Sequence, residues 1–290
     1  MPKEFQSFYK TVHTRANSMC PYTTRLDTYG RGCQHNCAYC YARSLLNFRG
    51  LWNSEEPAVA DIEKIRRRIK HIKPGSIVRL GGMTDCLQPI EAKYGVTRAT
   101  IAMLNRAGVG YLIVTKSHLI ATDEYLRLLD PKLAHIQISI TNTDDKAALA
   151  YEHCSLTSKR LDAIRTLQGA GIDVRMRLSP YIPGFIDPEV IDAYGVERVV
   201  VEFLRVNHWI RKWLAGTVDL SAWTLKSGAY FHLPLEKKIE AMKWLQDRLP
   251  AVEFTVGDAL VEHWDYWRDN VNPNAADCCN LRGGNPLREW

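Results

Sequence analysis

Three cysteines lie within the eight residues from Cys33 to Cys40, in the spacing C-x3-C-x2-C, directly after a strand-like run from Thr24 to Tyr29. A short loop with this spacing can wrap one corner of an iron–sulfur cubane, so that three thiolates bind three irons. The glycines at positions 30 and 32 would let the backbone approach the inorganic sulfides. One iron would have no protein ligand, and such an iron suits chemistry in which a chelating cofactor is bound and reduced.

Two other interpretations of this loop stay open. Zinc is bound by four N or S ligands, so His35 would have to complete the site, and no second C-x2-C pair is present to close it. Disulfides are disfavoured by a group of three cysteines in a chain that we expect to be cytoplasmic. The spacing, with the aromatic residue Tyr39 before the last cysteine, favours the three-thiolate iron–sulfur site.

The composition fits one large α/β domain, or such a domain with an appendage. The chain has 290 residues, of which 46% are hydrophobic. Its N-terminus, MPKEFQSFYK, has no apolar signal core, and no run is long enough to span a membrane, so we expect a cytoplasmic protein. Eight cysteines in that compartment indicate ligation or catalysis. The net charge of +6 permits a polyanionic partner but does not require one.

Strands and helices alternate along the chain and predict a parallel sheet with helical crossovers. Six strands, at 24–29, 76–80, 111–115, 135–140, 172–178 and 198–204, fit an α/β fold of the partial (β/α)6 TIM-barrel type. We assign residues 1–205 to this barrel, with an N-terminal extension over residues 1–23 that packs on its edge. Residues 206–290 form an aromatic-rich C-terminal extension that closes the barrel and shapes the substrate site.

Polar residues follow several of the predicted strands, where a barrel gathers its functional groups. A glycine pair would let a cofactor lie against the strand end, and the hydroxyl and carboxylate after it could accept from an ammonium group. A lysine after the third strand could bind a carboxylate, and a serine in the fourth could bind a ribose. These features predict a pocket for an amino acid joined to a nucleoside, formed by Gly81, Gly82, Thr84, Asp85, Lys116 and Ser139.

The cysteine loop resembles the signature of the radical S-adenosylmethionine (SAM) enzymes, in which C-x3-C-x-aromatic-C follows a first strand. The stretches RLDTYGRGC, ending at Cys33, and CYAR, beginning at Cys40, look like the spore photoproduct lyase-related branch. The resemblance implies a [4Fe–4S] cluster on Cys33, Cys37 and Cys40 whose open iron chelates SAM. It also implies that one electron splits SAM into methionine and a 5′-deoxyadenosyl radical, which takes a hydrogen atom from the substrate. An electron donor such as flavodoxin or ferredoxin is then an expected partner.

The resemblance also suggests residue roles. It implies that the glycine-containing strand end contacts the amino group of SAM, that the lysine and serine contact its carboxylate and ribose, and that Tyr39 packs near the adenine. In spore photoproduct lyases proper, a cysteine just before the position of Thr84 returns a hydrogen atom to the product radical, but Met83 stands there and has no S–H to give. Cys86 could replace it, although a buried structural thiol is an equal alternative, and Tyr41 resembles a tyrosine of the same relay. Thymine-dimer repair is therefore not implied.

Three features of the sequence remain open. The C-terminal extension combines basic and aromatic residues, which suit a single-stranded or flipped nucleotide, but such rings also form ordinary core. The basic face of the predicted helix at 61–72 is likewise typical of either a nucleic-acid contact or a solvated surface. Adjacent Cys278 and Cys279 have no assigned role, and no close-spaced motif supports a second cluster built from them with Cys20 or Cys154.

The sequence therefore predicts a radical SAM enzyme that acts on nucleic acid, as a DNA lyase or a base-modifying enzyme. The first alternative keeps the radical chemistry and changes the substrate to a peptide or a small metabolite. The second alternative is of another class, a non-catalytic zinc-dependent nucleic-acid-binding module. Metal content separates this last alternative from the first two.

Overall fold

The computed structural model describes residues 5–10, 22–274 and 276–281. The strands in these residues are β1 (Phe8–Lys10), β2 (Thr24–Leu26), β3 (Tyr29–Gly30), β4 (Ala58–Val59), β5 (Ile77–Leu80), β6 (Gly110–Thr115), β7 (Ala134–Ile140), β8 (Asp173–Tyr181), β9 (Arg198–Phe203), β10 (Leu225–Ser227), β11 (Tyr230–His232) and β12 (Glu253–Gly257). The helices are α1 (Tyr41–Phe48), α2 (Ile62–Ile69), α3 (Glu91–Tyr94), α4 (Val96–Ala107), α5 (Asp123–Leu126), α6 (Asp145–Leu149), α7 (Thr157–Gly169), α8 (Pro188–Ala193), α9 (His208–Trp213), α10 (Leu235–Arg248) and α11 (Val261–Asn270).

Eight strands form the main sheet, in the order β1-β2-β5-β6-β7-β8-β9-β12. All neighbouring pairs are parallel except β1 with β2. The six predicted strands of the partial barrel are confirmed. A seventh parallel strand, β12, comes from the predicted C-terminal extension and pairs with β9. The described part of the N-terminal extension adds β1 to the edge, whereas Cys20 lies outside the described residues.

The two faces of the sheet differ in polarity because side chains alternate along each strand. On the outer face, residues such as Val78, Ile136 and Val199 are buried in one core with apolar side chains of the surrounding helices. On the inner face, residues such as Arg79 and Arg177 line a cavity instead. The fold therefore keeps its apolar core outside the sheet and leaves a polar interior for binding.

Local signals set the ends of several helices close to their predicted limits. Asp61 caps α2, and its Oδ1 accepts hydrogen bonds from the backbone N–H groups of Glu63 and Lys64 at 2.9 and 3.3 Å. Gly95 and Gly108 flank α4, both with a φ angle of 62°, a left-handed conformation that glycine adopts without strain. These signals explain why helix positions could be predicted to within a few residues.

The described tail, residues 276–281, lies across the N-terminal ends of the strands. The backbone carbonyl of Asn280 accepts from the guanidinium groups of Arg175 and Arg198. The Tyr22 hydroxyl donates a hydrogen bond of 2.5 Å to Asp277. Leu281 packs in a small core inside the sheet. The tail therefore covers the end of the barrel opposite the cysteine loop.

No helix in the described part of the chain is long and apolar enough to cross a membrane.

Candidate functional site

The cysteine loop connects β3 to α1 through a tightly packed backbone. Arg31 and Asn36 have positive φ angles of 55° and 42°, a conformation that asparagine adopts more readily than most residues. An added Cβ at Gly32 would lie 1.7 Å from the backbone oxygen of Asn53. Glycine is therefore required there by the close approach of two backbone segments, and an approach of this backbone to inorganic sulfides stays a prediction.

Cys33, Cys37 and Cys40 line one cavity of about 400 Å³ at the C-terminal end of the barrel, and none of the three forms a disulfide. Cys40 caps α1, where its Sγ accepts a 3.4 Å hydrogen bond from the backbone N–H of Arg43. Burial raises the pKa of all three thiols, that of Cys37 to about 12. The metal-free thiols are therefore protonated at neutral pH, and binding of a cluster must release their protons.

The glycine turn after β5 lies on the same cavity and is held by Asp27. The carboxylate of Asp27 accepts from the backbone N–H of Gly82 at 2.6 Å and from that of Met83 at 3.2 Å. The Thr84 hydroxyl donates a 2.6 Å hydrogen bond to the backbone oxygen of Tyr29, in the strand that leads to the cysteine loop. The turn that was predicted to bind SAM is thereby fixed beside the three thiols.

Asp85 uses both carboxylate oxygens within the protein. Oδ1 accepts from the Thr115 hydroxyl at 2.8 Å and from the backbone N–H of Leu87 at 2.9 Å. Oδ2 accepts from the backbone N–H of Lys116 at 2.7 Å and lies 3.2 Å from Nε2 of His35. Burial raises the pKa of Asp85, but His35 and the backbone donors outweigh burial and lower it. Asp85 therefore ties together the ends of β5 and β6 and the cysteine loop.

Lys116, Tyr39 and Ser139 form another part of the cavity wall. The Nζ atom of Lys116 lies 5.4 Å from the centroid of the Tyr39 ring. The Tyr39 hydroxyl donates to Glu152, whose other oxygen accepts from Arg160. Arg160 also donates a 2.6 Å hydrogen bond to the backbone oxygen of Ser139. This buried ion pair, which belongs to no motif in the sequence, therefore positions two of the predicted SAM contacts.

Tyr41 lies where the cysteine loop meets the glycine turn. Its hydroxyl donates a 2.6 Å hydrogen bond to the backbone oxygen of Gly82. The ring is 38% exposed and lines the cavity, with the guanidinium carbon of Arg205 at 5.3 Å from its centroid. The structure thus brings Tyr41 to the site, where its role in a hydrogen-atom relay stays a prediction.

The position of Cys86 contradicts its predicted role in the hydrogen-atom relay. Its side chain is fully buried in the apolar core and is not among the residues that line the cavity. The chain turns inward after Asp85, and the backbone oxygen of Cys86 accepts a 2.6 Å hydrogen bond from the Thr97 hydroxyl of α4. A thiol in the core cannot meet a substrate in the cavity, so the alternative interpretation, a structural thiol, applies to Cys86.

Cys278 and Cys279 line the cavity, which the sequence did not predict. The hydrogen bond with Cys278 lowers the pKa of Cys279 to about 6, burial opposes this shift, and Arg177 and Arg79 add to it. Cys154 instead lies beside Glu152 and outside the cavity wall, so the described residues give no support to a second cluster. No sequence signal could have found the pair, because a thiol at residue 278 reaches the barrel only through the fold of the tail.

The zinc alternative is not supported by the geometry. In the described ranges, no three His, Cys, Asp or Glu side chains converge as ligands of one metal ion. His35, the expected fourth ligand, is directed to Asp85 instead. The three cysteines fit an iron–sulfur cluster better, because each thiolate of such a cluster binds a different iron and the sulfurs need not converge on one point.

The partial barrel, with a three-cysteine loop after its first parallel strand and polar residues at the following strand ends, defines the class of protein. The family model "Radical SAM superfamily" matches residues 28–195, more than half of the chain. The chain belongs to the radical SAM superfamily, a superfamily of enzymes that use SAM and an iron–sulfur cluster.

Solved structures of two kinds share the fold. A cysteine-to-serine variant of spore photoproduct lyase superposes with a TM-score of 0.63 at 16% identity, over 88% of this chain and 80% of that one. SuiB of Streptococcus suis, bound to S-adenosylmethionine, gives a TM-score of 0.54 at 12% identity, over 84% of this chain and 52% of that one. At such low identity these likenesses establish the fold.

Curated relatives of similar sequence include two uncharacterized proteins. One, from Methanocaldococcus jannaschii, is 31% identical over 165 residues, which is 55% of this chain. The other, from Mycobacterium bovis, is 26% identical over 211 residues, which is 64% of this chain. The chain spans 61% of the length of each of these two relatives.

Proposed function

We propose that this chain binds a [4Fe–4S] cluster through Cys33, Cys37 and Cys40 and uses it to cleave SAM reductively. The observation that carries the proposal is the convergence of these three thiols with all seven predicted SAM contacts on one cavity wall. When bound, the cluster supplies one electron that splits SAM into methionine and a 5′-deoxyadenosyl radical, which abstracts a hydrogen atom from the substrate.

The residues of the chain bind and orient SAM. We assign the SAM carboxylate to Lys116, whose pKa is raised because the lowering by burial is outweighed by the opposite effect of Cys37 and Glu152 nearby. The turn at Gly81 and Gly82 receives the amino group, with the fixed Thr84 hydroxyl beside it. The ribose and the adenine are assigned to Ser139 and Tyr39. Asp85 holds the ends of β5 and β6 in place beside the SAM site.

We propose a nucleic acid as the substrate, modified or cleaved at a base. Several cationic side chains line the cavity, which suits a polyanion. A related fold was solved in spore photoproduct lyase with AdoMet and dinucleoside spore photoproduct bound. Met83 has no S–H to return a hydrogen atom, so the proposal does not include repair of thymine dimers.

A peptide substrate is the second candidate. SuiB, which shares the fold with a TM-score of 0.53, was solved bound to its precursor peptide SuiA.

Either substrate requires a low-potential one-electron donor, and we propose flavodoxin or ferredoxin for that role. We also propose that the protein works in the cytoplasm, where its cluster thiols stay reduced.

The first test compares two cysteine variants after anaerobic reconstitution. Cys37→Ala should lose iron and sulfide together with dithionite-dependent formation of 5′-deoxyadenosine, because two thiolates leave a second iron without a ligand. Cys86→Ala is the matched control and should keep both, since Cys86 lies in the core. Retained cleavage in Cys37→Ala would contradict the ligand assignment. About one zinc per chain without iron would favour the binding-module alternative.

A further inference from the structure

The cavity contains two arginines, Arg79 and Arg205, whose guanidinium groups form no ion pair with a carboxylate of the described residues. Arg79 projects from β5, and its buried Nε has no hydrogen-bond partner among the described residues. Arg205 follows β9 and lies between two rings, with its guanidinium carbon 5.3 Å from the centroid of Tyr41 and 4.9 Å from that of Tyr230. Both arginines therefore present N–H donors to whatever fills the cavity.

The carboxylates that line the cavity are already committed. Glu202 binds Arg177 and accepts a 2.8 Å hydrogen bond from the Ser179 hydroxyl. Asp258 lies 2.7 Å from Nζ of Lys238. Asp85, the remaining carboxylate of the wall, uses both its oxygens at the strand ends. Among the described residues, Arg79 and Arg205 therefore form no direct ion pair, although Arg79 lies near enough to Glu202 and Cys279 to lower the pKa of both.

A third donor on the same wall has no acceptor. Trp264 is 3% exposed and lines the cavity, and its indole N–H has no hydrogen-bond partner in the described part of the chain. A buried donor without an acceptor is costly, so such groups are normally satisfied by a ligand or water. The donor excess predicts a ligand that carries negative charge and several acceptor atoms.

We propose that Arg79 and Arg205 bind a backbone phosphodiester of the substrate beside Tyr41, an assignment that rests on the proposed function. Lys116 is assigned to the SAM carboxylate, so these two arginines remain for the substrate. Planar guanidinium groups match the oxygens of a phosphate, and the partly exposed ring of Tyr41, which lines the cavity, provides a face on which an adjoining base can stack. Phosphate recognition by this pair places a nucleotide next to the cysteine loop.

The test measures binding without turnover. Reconstituted protein saturated with S-adenosylhomocysteine is titrated calorimetrically with a thymidine dinucleotide that has one phosphodiester, and with the same dinucleotide joined by an uncharged methylphosphonate. We expect the charged probe to bind more tightly and to lose affinity as salt rises. Arg79→Gln and Arg205→Gln should each weaken its binding by about tenfold or more, the range for a hydrogen bond to a charged group.

Three comparisons control this experiment. Arg68→Gln, on the exposed basic face of α2, removes the same charge far from the cavity and should leave the Kd unchanged. Arg79→Lys keeps the charge without the forked geometry and should give an intermediate Kd, which guards against a folding defect in Arg79→Gln. Binding of S-adenosylhomocysteine should be equal in all variants.

Several results would overturn the proposal. These are equal affinity for the charged and neutral probes, an Arg68→Gln effect as large as those of Arg79→Gln and Arg205→Gln, or binding of an acidic peptide to protein that does not bind the dinucleotide. Failure of the proposed function looks different, because charge-dependent binding would persist while no 5′-deoxyadenosine forms. Formation of 5′-deoxyadenosine without charge-dependent binding would instead remove only the phosphate subsite.

Discussion

Cys279 illustrates how a residue gains its chemistry from an adjacent residue, Cys278, together with arginines that are distant in sequence. Its thiol lies on the cavity wall with that of Cys278, near Arg177 and Arg79. At the cluster thiols burial outweighs the groups that oppose it, such as Lys116 beside Cys37, and their pKa values are raised. Two groups of cysteines in one cavity therefore differ in charge before any metal binds.

This contrast gives a prediction about thiol reactivity. The hydrogen bond from Cys278 lowers the pKa of Cys279 to about 6, so the reactive thiolate should appear as pH rises through 6. Alkylation of Cys279 by iodoacetamide, followed by peptide mapping of the reconstituted protein, should reach half of its maximal rate near that pH. Cys278→Ala removes the donor and should move this midpoint upward. An unchanged midpoint, or one near pH 9 in the parent protein, would contradict the prediction.

Site residues that belong to a local motif could be predicted, whereas those defined by burial could not. Lys116 and Ser139 were found because each follows or ends a strand, and strand ends meet at one end of the barrel. Cys86 follows the same turn as Thr84, but its direction depends on the packing of α4, which sequence spacing does not reveal. Glu152 and Arg160 carried no signal, because Glu152 lies in the loop before α7 and its pairing with Arg160 depends on how that loop and α7 pack against Ser139 of β7.

At the scale of elements, the tail and β12 are the parts whose place the sequence did not reveal. The sequence predicts a strand at 252–256, one residue from the observed β12, but the segment of about fifty residues that separates it from β9 hid the pairing of these two strands. The six earlier strands were recovered because each is separated from the next by a single crossover, which makes neighbours in sequence neighbours in the sheet. Contacts such as that of Arg175 with Asn280 have no comparable pattern in the sequence.

The tail should contribute measurably to stability through Asp277. This buried carboxylate accepts from the Tyr22 hydroxyl at 2.5 Å and from the backbone N–H groups of Cys279 and Leu281 at 2.8 and 3.2 Å. Asp277→Ala should lower the free energy of unfolding in urea by about 3 kcal/mol, because these buried donors lose their acceptor. Asp277→Asn keeps one carbonyl oxygen and should cost less. A loss in Asp277→Ala below about 0.5 kcal/mol would mean that the tail is not anchored there.

The whole molecule is a partial barrel with a different chemistry at each end. Its N-terminal end is covered by the tail, and its C-terminal end carries the cysteine loop, the glycine turn and the cavity. The apolar core lies between the sheet and the helices, so the interior is free to hold charged groups such as Arg177 and Glu202. This separation explains how one chain can combine a stable fold with a polar, cation-rich binding site.

The central claim is that three thiolates hold a cluster and leave one iron for SAM. The most direct measurement is the electron paramagnetic resonance spectrum of the dithionite-reduced protein, reconstituted to about four irons per chain, with and without SAM. We predict that SAM changes the g values, because its amino and carboxylate groups bind the open iron. Identical spectra in the presence and absence of saturating SAM would contradict the claim.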